Sequence, residues 1–258
     1  ASWDVARVEG SPRLGSRSMG ATGRLHVGQW LETDEGSRAR IQVGAIGRVD
    51  VGPRSRVRLL RAAADDHRLG LAEGTLHAVV SAPPRFFFVE TPSAVAVDLG
   101  CAYTLEVDAS GGGRLHVASG WVALEKSGRE TLVPAGAVSA LHPGGPGLPY
   151  FEDAPAAVAG SVARLEGGDP TALDGLLEGA RLRDSLTLWH LLAWVAPAER
   201  DRVYGRLAAL RAPPDGVTRE GILELRPDML QAWRNRLEPD WTRPGEVPFR
   251  FQKKARTG

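Results

Sequence analysis

The chain has 258 residues, room for one large domain or two ordinary ones. Apolar residues make up 43% and charged residues 24%, the composition of a globular protein rather than a disordered or membrane-embedded one. The formal net charge is +1, so no global field draws in nucleic acid or an anionic membrane surface.

Lysine occurs only at Lys126, Lys253 and Lys254, and the other cations are arginine. Cys101 is the single cysteine, so no internal disulfide forms. That usage fits a cytoplasm and does not exclude a periplasm. No stretch reaches the roughly 20 apolar residues that span a bilayer. The most apolar run, Leu186 to Val195, carries His190 and is too short. No signal peptide is visible, and the chain opens at Ala1-Ser2-Trp3 without Met. A membrane anchor can therefore lie outside the sequence given.

In chain order, Trp3 to Val8 alternates and ends at the turn cluster Glu9-Gly10-Ser11-Pro12. Ser16 to Gly23 reads as a loop, and Leu25 and Val27 as a short strand. Ala39, Ile41 and Val43 alternate with Arg38, Arg40 and Gln42, the pattern of a strand with one face buried. Val49 and Val51 continue that pattern to Gly52-Pro53, and Ser55 to Leu59 begins another strand. Leu69 and Leu71 form a brief strand, and Glu73-Gly74 turns into Leu76 to Val79. Phe86 to Val89 reads as a strand buried on both faces.

The stretch Val89 to Asp108 organises this half of the chain. Pro92 stops one strand, having no N–H to donate. Val95, Val97 and Leu99 share a face of the next strand, Gly100 breaks it, and Tyr103, Leu105 and Val107 share a face of a third. Gly111-Gly112-Gly113 is a hairpin tip. Further short strands follow at Leu115 and Val117, Trp121 to Leu124, Thr131 to Val133 and Ala137 to Ala140. Turn signals every ~8–12 residues predict an all-β sandwich, barrel or solenoid.

The order of several motifs carries a resemblance. Gly28-Gln29-Trp30-Leu31-Glu32-Thr33 is followed by Val49-Asp50-Val51-Gly52-Pro53-Arg54-Ser55 and Leu69-Gly70-Leu71-Ala72-Glu73-Gly74. Then come Phe88-Val89-Glu90-Thr91-Pro92, Gly100, Val117-Ala118-Ser119-Gly120-Trp121-Val122 and Pro134-Ala135-Gly136. Together, over about residues 3–145, they resemble the FecR domain. The resemblance implies a mainly β fold of many short strands, solenoid-like or sandwich-like. It also implies a periplasmic regulator of cell-surface signalling, in its best-understood form an anti-sigma factor, with no enzymatic activity and no cofactor. Members usually carry Val-Arg-Gly-Thr where this chain reads Val97-Asp98-Leu99-Gly100-Cys101. The sigma-binding and membrane segments of the family are not part of this sequence.

After Leu141 the composition changes. The reading divides the chain into a FecR-like domain over 1–141, a Pro/Gly/Ala-rich linker over 142–168, a helical domain over 169–238 and an extended basic tail over 239–258. The linker's alanine-rich part, Pro155 to Gly168, is open to being a loose helix. Asp169-Pro170 opens a helix carrying Leu173, Leu176 and Leu177. Asp184 or Ser185 caps a second, Pro197 opens a third, Thr218 caps a short fourth and Pro227 opens a fifth. Short loops between them predict a small bundle of HEAT-like helix pairs. The tail carries Lys253, Lys254 and Arg256.

No catalytic motif stands out. His26, His67, His77, His116, His142 and His190 show no metal-ligand spacing. His190, among tryptophans on a helix, reads as a core-edge residue, and Cys101 as a buried, inert thiol. Asp98 either faces away from the apolar set or is buried and paired. The functional lead is aromatic. Trp30, Trp121, Trp189, Trp194 and Trp233 are candidate residues of a protein interface, against core packing as the alternative. Trp189 and Trp194 diverge by ~140° on a helix, too far to share one narrow stripe.

These features predict a non-catalytic envelope module with a protein partner. The alternative is a carbohydrate-active enzyme or carbohydrate-binding domain, which needs carboxylates such as Asp50, Glu73, Asp98 and Glu106 to converge. Nucleic-acid binding would need a contiguous basic face, which the near-zero net charge opposes.

Overall fold

The computed structural model describes residues 1–242. The described residues divide into two compact units, Ala1–Asp153 and a second that begins at Ala154.

The first unit is built from short strands whose apolar residues alternate with polar ones. In chain order they are β1 (Ser2–Glu9), β2 (Arg13–Leu14), β3 (Arg17–Ser18), β4 (Thr22–His26), β5 (Trp30–Thr33) and β6 (Arg38–Val43). Next come β7 (Gly47–Val51), β8 (Ser55–Ala62), β9 (His67–Val80), β10 (Phe87–Glu90), β11 (Val95–Asp98) and β12 (Ala102–Val107). The set ends with β13 (Gly113–Ser119), β14 (Trp121–Lys126), β15 (Arg129–Pro134), β16 (Ala137–His142), β17 (Gly145–Pro146) and β18 (Tyr150–Phe151).

These strands form two sheets that share β9. One runs β4-β1-β6-β7-β9-β12-β13-β16, with β17 and β18 both paired to β16. The other runs β3-β2-β5-β8-β9-β10-β11-β14-β15. Among these pairings only β9 with β10 is parallel. The chain alternates between the sheets as it advances, giving the expected mainly β architecture of many short strands. Ile41, Val49, Leu76, Leu105 and Leu115 of the first sheet and Val57, Leu59, Leu69, Leu71 and Phe87 of the second are buried core residues.

β9 departs from the expected two strands with a turn at Glu73-Gly74. It is one strand, with residues 67–73 in the second sheet and 74–80 in the first. Gly74 makes the crossing at φ +102°, where a Cβ would lie 2.2 Å from the Ser55 hydroxyl. Local hydroxyls stand in for missing ladder bonds. The Ser55 Oγ accepts from the Thr75 N–H at 2.9 Å, and the Thr33 Oγ1 accepts from the Ser55 N–H at 2.9 Å.

A second crossing lies in the Val89–Asp108 stretch. β10 and β11 form a hairpin in one sheet, β12 starts the next hairpin in the other, and Gly100 at φ +88° joins them. The chain crosses back at Gly120, where a Cβ would lie 2.0 Å from the Gly100 carbonyl oxygen. The Thr91-Pro92-Ser93-Ala94 turn is tied to the next hairpin tip by the buried Ser93 hydroxyl, which donates to the Gly111 carbonyl.

The stretch read as a loop from Ser16 to Gly23 holds β3 and the start of β4. The stretch 142–168 read as a linker contains β17, β18 and a helix, α1 (Ala156–Glu166). Alanine favours helix, and Val158 and Val162, one turn apart, are both buried.

The second unit continues with α2 (Ala172–Gly179), α3 (Ser185–Trp194), α4 (Pro197–Leu210), α5 (Arg219–Leu223) and α6 (Pro227–Trp241). α1 packs on α2, α3 on α4 and α6, and α5 on α4. Pro197 and Pro227 open their helices, and the Thr218 Oγ1 caps α5 by accepting from the Gly221 N–H at 3.1 Å. α2 starts two residues beyond the expected proline. Asp169 closes a turn instead, accepting from the Thr171 N–H at 3.0 Å.

The boundary at 239 also moves, because α6 runs through Pro239 to Trp241. An interior proline costs a helix about 3 kcal/mol. Contacts of the last turn offset it: buried Trp241 donates from Nε1 to the Ser185 hydroxyl at 2.9 Å, and Asp240 pairs with Arg211. Lys253, Lys254 and Arg256 lie outside the described residues.

Candidate protein interface

The candidate tryptophans fall into different environments. Trp121 is 3% exposed and Trp233 fully buried, so both are core residues and drop out as interface candidates. Each lies on an element whose neighbours are buried as well, a context that the residue type does not reveal. Trp189 is half-buried and internally engaged. Its Nε1 donates to the Leu230 carbonyl at 3.3 Å, and its ring lies edge-on to His190 and Trp241. Trp194 is half-buried at the end of α3.

Trp30 is the tryptophan presented by a sheet face. Leu31 and Thr33 of β5 point into the core, so Trp30 and Glu32 point outward. The register sets Trp30 beside Arg58 and Glu32 beside Arg56. The Arg56 and Arg58 guanidiniums lie 4.8 and 5.5 Å from the Trp30 ring centroid, within cation–π range. Arg56 pairs with Glu32 at 3.1 Å, whereas the Arg58 Nε donates to the Gly28 carbonyl at 2.9 Å. On the other side of β5, Arg13 of β2 stands opposite Glu32. Further along the face Arg68 covers the Phe88 ring at 4.2 Å and pairs with Asp66 and Glu90. The outward Arg56–Val57–Arg58 alternation is visible in the sequence. Its meeting with Trp30 and Arg13 depends on register and is not.

Most other arginines are engaged by carboxylates: Arg24 by Asp4, Arg40 by Asp50, Arg54 by Glu35, Arg85 by Glu125 and Arg219 by Asp201.

The odd residues of the central stretch form a buried cluster. Asp98 is 1% exposed and Cys101 and Tyr103 are buried. Ala96 pairs with Val89 across the ladder, and Asp98 shares the face of Ala96, so the carboxyl points into the core. It accepts from the Gly100 N–H at 2.7 Å and from the Cys101 thiol at 2.8 Å. Burial pushes its pKa up to about 6, and those two hydrogen bonds oppose the rise. Burial and the adjacent carboxyl push the Cys101 thiol and the Tyr103 phenol well above their ordinary values. A thiol held protonated in this way is a poor nucleophile.

The carboxylates that a glycosidase would need do not converge. Asp50 is salt-bridged to Arg40 on an outer face, Glu106 is exposed on β12, and Glu73 sits where β8 and β9 shift register. Asp98 is sealed inside. His77 contacts Thr104, and His116 contacts Glu152. His190 is buried with its pKa lowered to about 4 by desolvation, and its Nδ1 meets the Leu186 carbonyl at 2.9 Å. Among the described residues no group of three or more His, Cys, Asp or Glu could hold a metal ion. None of their helices is long and apolar enough to cross a membrane.

Comparison with known proteins finds partial likenesses. No curated protein matches the chain. Two crystal structures from Parabacteroides distasonis, described as a "putative anti-sigma factor", are 16% identical to it, with TM-scores of 0.42 and 0.43. Each likeness covers 51% of this chain and 63% or 62% of the neighbour, less than two thirds of its length. The family model "FecR protein" matches residues 29–123, from the residue before Trp30 to the middle of β14. Residues 29–123, less than half of the chain, are therefore similar to the FecR family.

Proposed function

We propose that the chain is a non-catalytic regulatory module of the bacterial envelope. In this reading it is the periplasmic part of a cell-surface signalling system, anchored by a segment outside the sequence given. Its β unit binds a protein partner, and its state is passed to a sigma factor or another regulator. The match of the FecR family model to residues 29–123 is the observation that carries this reading. The scattered carboxylates and the proton-holding Cys101 agree with it, since neither offers a reaction centre.

The test is deletion of the gene in its host followed by transcript measurement. A regulator shifts a small, defined set of transcripts, and plasmid-borne expression restores them. Unchanged transcripts, with altered turnover of envelope polysaccharide, would overturn the proposal in favour of an enzyme.

A further inference from the structure

We propose that the outer sheet face around Trp30 docks an acidic segment of the protein partner, with carboxylates at Arg13 and Arg58 and an apolar side chain over Trp30. The proposal rests on the reading of the β unit as a protein-binding module.

Charge complementarity argues for this occupant. Among the described residues most arginines have a carboxylate partner; Arg13 and Arg58 are among those that have none, and they lie on the Trp30 face. Arg13 makes only a long bond to the Ser16 carbonyl, 3.5 Å, and Arg58 uses Nε alone. The carboxylate nearest in register, Glu32, is already held by Arg56. The Arg58 fork thus keeps its terminal N–H groups for an incoming carboxylate, the group that a guanidinium binds best. Trp30, half-buried with the Arg56 and Arg58 guanidiniums against its ring, supplies a rigid apolar surface beside Arg58, and Arg13 stands one outward position further along β5, opposite Glu32. Tryptophan with arginine is the usual make-up of an interface hot spot.

The same face discriminates against other occupants. Glu32, Asp66 and Glu90 lie on or beside it between the arginines, which leaves places for separate carboxylates at Arg13 and Arg58 but interrupts the continuous cationic track that a run of phosphates needs. A symmetric second copy would bring Arg58 towards its own equivalent across a two-fold axis, a like-charge approach.

The experiment uses the intact chain as bait for a phage-displayed library of random dodecapeptides. Selected peptides are synthesised and titrated against wild type, Arg58→Glu, Arg58→Gln and Arg114→Glu, the last a charge reversal on the other sheet. Circular dichroism confirms that each variant folds. The expected peptides carry Asp or Glu beside an apolar residue. Their affinity falls roughly tenfold or more for Arg58→Glu, less for Arg58→Gln and not for Arg114→Glu, and it weakens with added salt. Selected peptides without acidic residues, or equal binding to wild type and Arg58→Glu, would overturn the proposal. So would Arg58-dependent binding of single-stranded oligonucleotide, or Arg58-dependent self-association in sedimentation. If transcripts respond to deletion while this test fails, the surface is wrong and the regulatory reading stands. If neither responds, both fall.

Discussion

Replacing Asp98 by Asn should make the β unit more stable at neutral pH. Asp98 is an ionisable group sealed in the core with a thiol and one backbone N–H as its recorded hydrogen-bond donors, and with no cation among the groups that shift it. Its pKa rises from the ordinary 3.8 to about 6 because burial disfavours the charged form. Between those values the folded chain holds a proton that the unfolded chain has released. Its contribution therefore favours folding at low pH and is lost as pH rises through about 4 to 6. At about 1.4 kcal/mol per pH unit, the charge costs the fold about 3 kcal/mol once pH exceeds the upper value.

Asn keeps the shape and an acceptor for the Gly100 N–H, and it removes that charge. Part of the gain is offset because the amide nitrogen cannot accept from the Cys101 thiol. A net stabilisation of about 1–2 kcal/mol at pH 7.5, shrinking to about zero or below at pH 4, is expected. Cys101 supplies the assay, since it is the only cysteine and is buried in this unit. Its labelling by 4,4′-dithiodipyridine across a urea series reports opening of the β unit alone. The difference between wild type and variant cancels the other carboxylates. A variant less stable at pH 7.5 than wild type, and equal to it at pH 4, would show that the buried charge stabilises the fold and would refute the reasoning.

His190 should give the helical unit the opposite dependence. Its pKa falls from 6.5 to about 4, so the unit loses stability as pH drops through that window, by up to about 3 kcal/mol, and His190→Gln should flatten the loss in acid unfolding followed at 222 nm. Gly120→Ala should cost the β unit more than about 3 kcal/mol in urea unfolding, because its Cβ meets the Gly100 carbonyl at a positive φ; Gly128→Ala, at φ +81° in open space, should cost only about 1 kcal/mol. Trp233→Ala should lower stability by about 3–5 kcal/mol and Trp30→Ala by about 1 kcal/mol or less, and similar losses in thermal unfolding would count against assigning one to the core and the other to a surface.

The alternation of Ala39, Ile41 and Val43 with charged neighbours was enough to place β6 and its buried face. Proline and threonine likewise placed the starts of α4, α5 and α6. Sequence pattern misread β9, because Glu73-Gly74 has the composition of a turn. The glycine instead lets one strand pass between two sheets against Ser55, a residue remote in sequence. The alternation of Val95, Val97 and Leu99 suggested one buried face for β11, but Ala96 to Leu99 are all buried and Asp98 points inward. Period-two reasoning fails where both faces of a strand are covered. The tryptophans were named by type, and type alone does not separate Trp30 from Trp121. That difference is set by which strands lie alongside, and the grouping of Arg13, Trp30 and Arg58 by a register that no local pattern encodes.

The most direct test of the regulatory reading is complementation of a deletion strain, with transcripts as the readout. The complete wild-type gene should restore the altered set, and the same gene carrying Arg58→Glu, expressed at the same level, should fail to do so. A deletion that leaves every transcript unchanged would contradict the account.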